Sequence, residues 1–403
     1  MVRALMEREN VAAIVAPHNT GNSTDWQADA RYLSHCGGGA DASIACVFPL
    51  NGDLTVVATS AERWGPAVQD WVDDVREAGR RYGAVMAERL LELGITTERV
   101  GICGMGGGTR APEGTIAEGT FRAIADALPN ATFVNATDLL QEARGQKSDE
   151  EVAVLQRSVD LVECGIDAMA ATAQPGVPDY YVWAETMHAL FARGSELSVH
   201  YNWIAAPQPG RTMTRPTGSP LARGDVIVTE IEASVIGYRA QQVRPVAVHD
   251  ADPAYVELSK FHGELYPQLP AALSPGMTVR ELLTRMFAIG AKQRASHGVT
   301  ADAKTSMIVH GRGLGDDYPL LVTNLDGRPS ARTERMLDYT FPANGVYILK
   351  PTITSADNRY QFIWGDTIHV GPDGARRMGR APHGLVTSQP RSVEWPQDVT
   401  VYS

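Results

Sequence analysis

Cysteine is scarce in this chain. Four residues out of 403, Cys36, Cys46, Cys103 and Cys164, lie scattered with no CxxC pair. That spacing argues against a disulfide framework or a cysteine metal site and points to reduced thiols in a cytoplasm. Long apolar runs are also missing, so no membrane-spanning helix is expected. There is no run of five or more like charges, and the formal net charge is -11. An acidic surface without basic stripes excludes nucleic acid and anionic membrane as expected partners. Residues 1–10 are charged and lack the apolar core of a secretion signal, which again predicts a cytoplasmic protein. What is present is ordinary for a folded enzyme: 44% hydrophobic and 21% charged residues, and length enough for two or three domains.

The first third alternates strand-like and helix-like segments. Residues 11–15 read as a strand, and 43–49 with 53–58 as a hairpin across Asn51-Gly52. Residues 80–93 carry Tyr82, Met86, Leu90 and Leu93 at helical spacing, and 100–103 form a short strand. Ser148, with Glu151 three residues on, predicts a capping box opening a helix to about residue 170. A break at Pro175-Gly176 precedes a second helix over 182–193. Strands follow at 226–231 and 237–248, helices at 255–273 and 279–297, and strands again at 345–352 and 362–370. The expected architecture is therefore an α/β domain over residues 1–142, then an α+β domain over 143–403. The glycine-rich stretch Gly104–Gly108 follows a strand but opens no convincing helix, so a surface loop is expected there and not a nucleotide site.

Five segments, taken in order, resemble the creatinase/aminopeptidase P group of pita-bread enzymes. They are Arg144 with Lys147–Glu151, then Gly224–Glu232, then Gly237–Arg244, then His310–Gly315, and the pair Leu349-Lys350-Pro351 and Trp364–Thr367. The resemblance covers essentially the whole chain. It implies a creatinase-type N-terminal domain and a pita-bread catalytic domain. In metal-dependent members, two aspartates, one histidine and two glutamates hold a pair of divalent ions. Carried over residue by residue, those positions fall on Glu230, Gln241, His310, Lys350 and Gly365, the last beside Asp366. One ligand has become neutral, one cationic, and one is gone, whereas paired hard cations need several anionic oxygens. The expectation is a site with no metal and no other cofactor. This resembles creatinase, except that Met213 stands where creatinase has its acid/base histidine.

A metal-free site needs its own acid, base and charge stabiliser. Glu230 and Glu232, at i and i+2 of a strand, and His310 are the catalytic candidates. Lys350 is expected to anchor a substrate carboxylate or to keep the glutamates ionised. Gln241, Arg312, Asp366, Tyr201 and Trp203 are candidate substrate contacts, with His200 beside them and Asp316 and Asp317 at the pocket mouth. By analogy with creatinase-like dimers, His35 and Asp41 would reach a partner's pocket. The leading reading is a homodimeric hydrolase cleaving a C–N or similar bond in a small carboxylate-bearing metabolite by acid–base catalysis. Three alternatives stay open: an unorthodox Xaa-Pro metallopeptidase, a lyase or decarboxylase on the same site, and a non-catalytic binding or scaffold protein.

Overall fold

The computed structural model describes residues 1–18, 28–36, 43–64, 69–107, 111–197, 202–210, 213–296, 302–325 and 328–388. The chain begins α1 (Val2–Glu9), β1 (Ala13–Ala16), α2 (Ala28–Ser34), β2 (Ile44–Pro49), β3 (Thr55–Ala58), α3 (Ala61–Trp64) and β4 (Asp74–Glu77). It continues α4 (Tyr82–Glu92), β5 (Arg99–Ile102), α5 (Glu118–Ala127), β6 (Thr132–Asn135) and α6 (Thr137–Gly145). The strands make one sheet in the order β4-β3-β2-β1-β5-β6. Side chains alternate across a strand, so one short run feeds two cores. Ile14 and Ala16 pack with residues of α1, α2 and α6, while Ala13 and Val15 pack with α4 and α5. The hairpin across Asn51-Gly52 forms as expected, with Gly52 at φ 110°. The glycine-rich stretch is not a free surface loop. Gly104 N donates to Thr137 Oγ1, and Tyr318 from the far part of the chain donates to Gly107 O.

Ser148 and Glu151 form the expected reciprocal cap, opening α7 (Asp149–Thr172), and α8 (Asp179–Phe191) follows. Next come β7 (Trp203–Ala206), β8 (Val226–Val235), β9 (Tyr238–Val243), β10 (Val246–Ala247), α9 (Pro253–Leu265), α10 (Gln268–Ala271) and α11 (Val279–Ser296). The last stretch is β11 (Lys304–Gly311), β12 (Leu320–Asn324), β13 (Arg328–Pro329), α12 (Ala331–Glu334), β14 (Gly345–Thr354), β15 (Gln361–Ile363), β16 (Asp366–Gly371), β17 (Gly374–Arg377) and β18 (Val386–Thr387). These strands make a five-stranded and a seven-stranded sheet. The sheets meet where Val243 and Gly365 exchange backbone hydrogen bonds. Helices α7 and α8 cover the first sheet, and α9 to α11 cover the second. Among the described residues, no helix is long and apolar enough to cross a membrane.

Candidate active site

Strand β8 is buried along its whole length, yet it carries two glutamates. Its alternation explains how. Ile227, Ile231, Ala233 and Val235 enter the core under α7 and α8, so Glu230 and Glu232 face the other way. Gln241 sits opposite Glu232 on β9 and shares that face. On the seven-stranded sheet, Met307, Val309, Tyr347 and Leu349 enter the core under α9 to α11. His310 and Lys350, of opposite parity, therefore share the second face, with Ile308 directly across from Lys350.

Side chains from the two sheets meet between these faces. Lys350 Nζ donates to Glu230 Oε1 at 2.8 Å and to Gln241 Oε1 at 3.2 Å. Asn202 Nδ2 donates to Glu230 Oε2 at 3.3 Å, and Gln241 Nε2 does so at 3.5 Å. The lysine is 4% exposed and the glutamate 11%, so water screens the pair only weakly. The lysine's first partner is thus the glutamate, and an incoming carboxylate would have to share it. Gly365 makes room for the arrangement. A Cβ there would lie 2.5 Å from Lys350 Cγ and 2.8 Å from Leu349 O. The lysine stem occupies the volume a side chain at 365 would need. Gly365→Ala is therefore expected to cost about 1–3 kcal/mol through overpacking. A urea denaturation midpoint equal to that of the parent protein would show that the strand yields instead.

Glu232, a candidate base in the sequence, is otherwise engaged. Its carboxylate accepts from Arg312 Nη2 and lies 3.7 Å from Arg239 Nη1, and all three side chains are fully buried. Burial and the nearby Arg312 both lower the proton affinity of Arg239, and the Asp317 charge works against them. In this setting Glu232 is engaged by two guanidiniums, as an ion-paired strand residue would be, and it makes no described contact with the Glu230–Lys350 pair. Arg312 likewise does not line a pocket mouth. It is buried between Glu232 and Asp316. Asp317 is buried too, held by Lys147 and Arg144.

Asp366 needs the same correction. It pairs with Leu349 across the ladder, which turns its side chain away from Lys350. There it accepts from Arg244 Nη2 at 3.0 Å, Arg377 Nε at 2.9 Å and Gln242 Nε2 at 2.9 Å. Trp203 is no pocket wall either. It pairs with Thr229 and enters the core under α7 and α8. Its neighbour Asn202 takes the opposite face and reaches Glu230. Sequence reasoning missed Asn202, although strand alternation would have picked it out. Met213 packs at the edge of the core that includes α9 to α11. Tyr201, His200 and Asp41 lie outside the described residues. His35, with φ 55°, has Trp71 edge-on at 6.2 Å, and no described contact joins it to the Glu230 cluster of its own chain.

His310 lies within β11, paired with Ile348 and Leu320. It is 2% exposed, and its Nδ1 is 3.2 Å from Gly311 O. A carbonyl only accepts, so this contact requires a proton on Nδ1. The donor set does not fit the pair of divalent ions that the resemblance implies. Glu230 is bonded to an ammonium, Gln241 is neutral, and position 365 has no side chain. Among the described residues, no group of three or more His, Cys, Asp or Glu is arranged to hold a metal ion.

Comparison with known proteins adds lineage to this geometry. The model of a family described as metallopeptidase family M24 matches residues 153–372. The chain is 24% identical over 262 residues to YkvY of Bacillus subtilis (strain 168), a dipeptidase by provisional name; the match covers 64% of this chain and 67% of that one. It is 22% identical over 175 residues to the creatinase of Bacillus sp. (strain B-0618), covering 41% and 42%. The X-Pro aminopeptidase of Thermotoga maritima MSB8 shares the fold across 96% of this chain and 98% of its own, with TM-score 0.73 and 16% identity.

Proposed function

This chain belongs to metallopeptidase family M24, a family of hydrolases, and from that premise we propose that it hydrolyses a C–N bond in a small carboxylate-bearing substrate. The observation that carries the reading is the inward-facing Glu230–Lys350–Gln241 cluster, whose lysine shares a sheet face with His310. Water adds to the trigonal carbon of the scissile C–N bond, an amide carbonyl carbon in a dipeptide or the guanidinium carbon in creatine. Its proton passes to the His310 Nε2 lone pair and then to the departing nitrogen, so the C–N bond breaks as an amine leaves. Glu230, kept ionised by Lys350, is the second proton acceptor. Lys350 and Asn202 supply donors for developing negative charge.

Within this proposal the reaction runs without metal, because an ammonium stands among the donors and position 365 offers none. The relatives' names favour at least as well a second reading, a metal-dependent dipeptidase of the Xaa-Pro type. One experiment separates them: turnover of creatine and of an Xaa-Pro dipeptide panel, with product analysis, before and after chelation. We expect well under one divalent ion per chain by elemental analysis and chelator-insensitive turnover. Stoichiometric manganese, cobalt or zinc with chelator-sensitive turnover would establish the metallopeptidase. Release of carbon dioxide or an alkene would indicate lyase chemistry, and no turnover of any substrate would favour a binding protein.

We also propose a homodimer, by analogy with creatinase-like enzymes in which the N-terminal domain approaches the partner's pocket. Light scattering should give twice the 43.5 kDa chain mass. A monomer at micromolar concentration would count against it.

A further inference from the structure

A line of buried charge runs from the N-terminal domain to the His310 strand. Asp29, on α2, pairs with Arg144 at the end of α6. Arg144 Nε donates to Asp317 Oδ1 at 3.0 Å, and Lys147 Nζ donates to Asp317 Oδ2 at 2.8 Å. The Asp317 side chain is 1% exposed, Lys147 2% and Arg144 5%. Burial pushes the Asp317 carboxyl up, and the Lys147 and Arg144 cations more than offset this, holding it below the ordinary carboxylate range. Two cations against two anions leave the group charge-balanced, so losing one member strands its partner in a dry site.

The line continues through the backbone. Gly311 N donates to both Asp317 O and Pro319 O, each at 3.1 Å, and a Cβ on Gly311 would come within 2.6 Å of Asp317 O and of Tyr318 O. Only glycine allows so close an approach. Gly311 O in turn accepts from His310 Nδ1 at 3.2 Å. The Nδ1 contact of His310 is thus linked, through the Gly311 peptide, Asp317 and Arg144, to Asp29 in the N-terminal domain.

We propose that Asp29 and Arg144 are positioning residues, through which the N-terminal domain sets the tautomer and orientation of the His310 imidazole. The inference rests on His310 as the acid–base group, and it gives the N-terminal domain a part in each subunit's own site. Histidine-selective ¹⁵N NMR reads the tautomer without any substrate, with the His310 signals assigned by their loss in His310→Gln. The parent protein should show the Nδ1–H form alone. Asp29→Asn and Arg144→Lys should each shift His310 toward an average of both tautomers, while Asp29→Glu, which keeps the carboxylate, should retain the single form. Circular dichroism checks that each variant folds. Arg144→Lys carries the test if Asp29→Asn does not fold. A pure Nδ1–H pattern in a folded variant overturns the proposal, as does failure of both variants to fold, which would make the network purely structural. Failure of the functional reading looks different: His310→Ala would keep normal turnover while the parent tautomer pattern stood.

Discussion

Replacing His310 by alanine is expected to lower kcat by about 10²–10⁴-fold, the usual contribution of a positioned proton-transfer group. Glu230→Gln should fall in the same range. The glutamine keeps the size of the side chain and can still meet Asn202 and Gln241, but it can neither accept a proton nor balance the Lys350 charge. The two substitutions should differ in stability. His310 is a buried ring in a strand, so its loss mainly leaves a cavity, costing about 2–4 kcal/mol by comparison with other large-to-small core changes. Glu230→Gln leaves a buried ammonium without its anion, and the lysine then tends toward its neutral form. Steady-state kinetics on both variants checks the first claim once a substrate is in hand. Before that, a ligand-induced thermal shift lost in both variants is the proxy. Near-normal rates in His310→Ala would remove the acid–base reading and bring the binding-protein alternative forward.

Lys350→Met is expected to fold and to lose most of its turnover, with a stability defect that depends on pH. Methionine keeps the apolar stem that packs against Gly365 but removes the cation bonded to Glu230 and Gln241. A charge pair at about 4 Å in an effective dielectric near 20 is worth on the order of 4 kcal/mol before desolvation. Without it, Glu230 is a buried carboxylate that keeps the amides of Asn202 and Gln241 but not the lysine charge, and its proton affinity is expected to rise above the unfolded value near 4.3. Between that value and its new folded-state pKa, the folded protein then binds more protons than the unfolded chain. The variant therefore loses stability as pH rises through this window. In the parent protein the lysine opposes this proton uptake. Urea denaturation at pH 5 and pH 8 tests the point. The deficit of Lys350→Met relative to the parent should be larger at pH 8 and reach about 3–5 kcal/mol if the carboxylate is forced to ionise. An equal deficit at both pH values would mean that Glu230 finds another counter-ion.

Glu232 shows where reading the sequence alone went astray. Spacing of two along a strand put it on the same face as Glu230 and made both candidate bases, with Glu230 preferred and a structural ion pair, expected with Arg244, the other reading of Glu232. In the fold, one glutamate meets a lysine from β14 and the other meets arginines from β9 and from the segment after β11. Asp366 is the converse. It sits next to a family site position in sequence, but one step along a strand turns its side chain to the opposite face, against Arg244 and Arg377. Trp203 and Asn202 repeat the lesson, since the aromatic residue drew notice while its polar neighbour holds the glutamate.

By itself, the sequence determined several of the main elements, among them the hairpin across Asn51-Gly52 and the helix opened by the Ser148–Glu151 cap, together with the burial around Lys350 and the family to which the chain belongs. These depend on local periodicity, on capping chemistry and on motifs read along the chain. The tertiary structure alone decided which charge meets which. Alternation says that two residues of a strand share a face, but not what that face opposes. The opposing side chain is set by register between sheets formed more than a hundred residues apart, as when Lys350 comes to rest on Glu230.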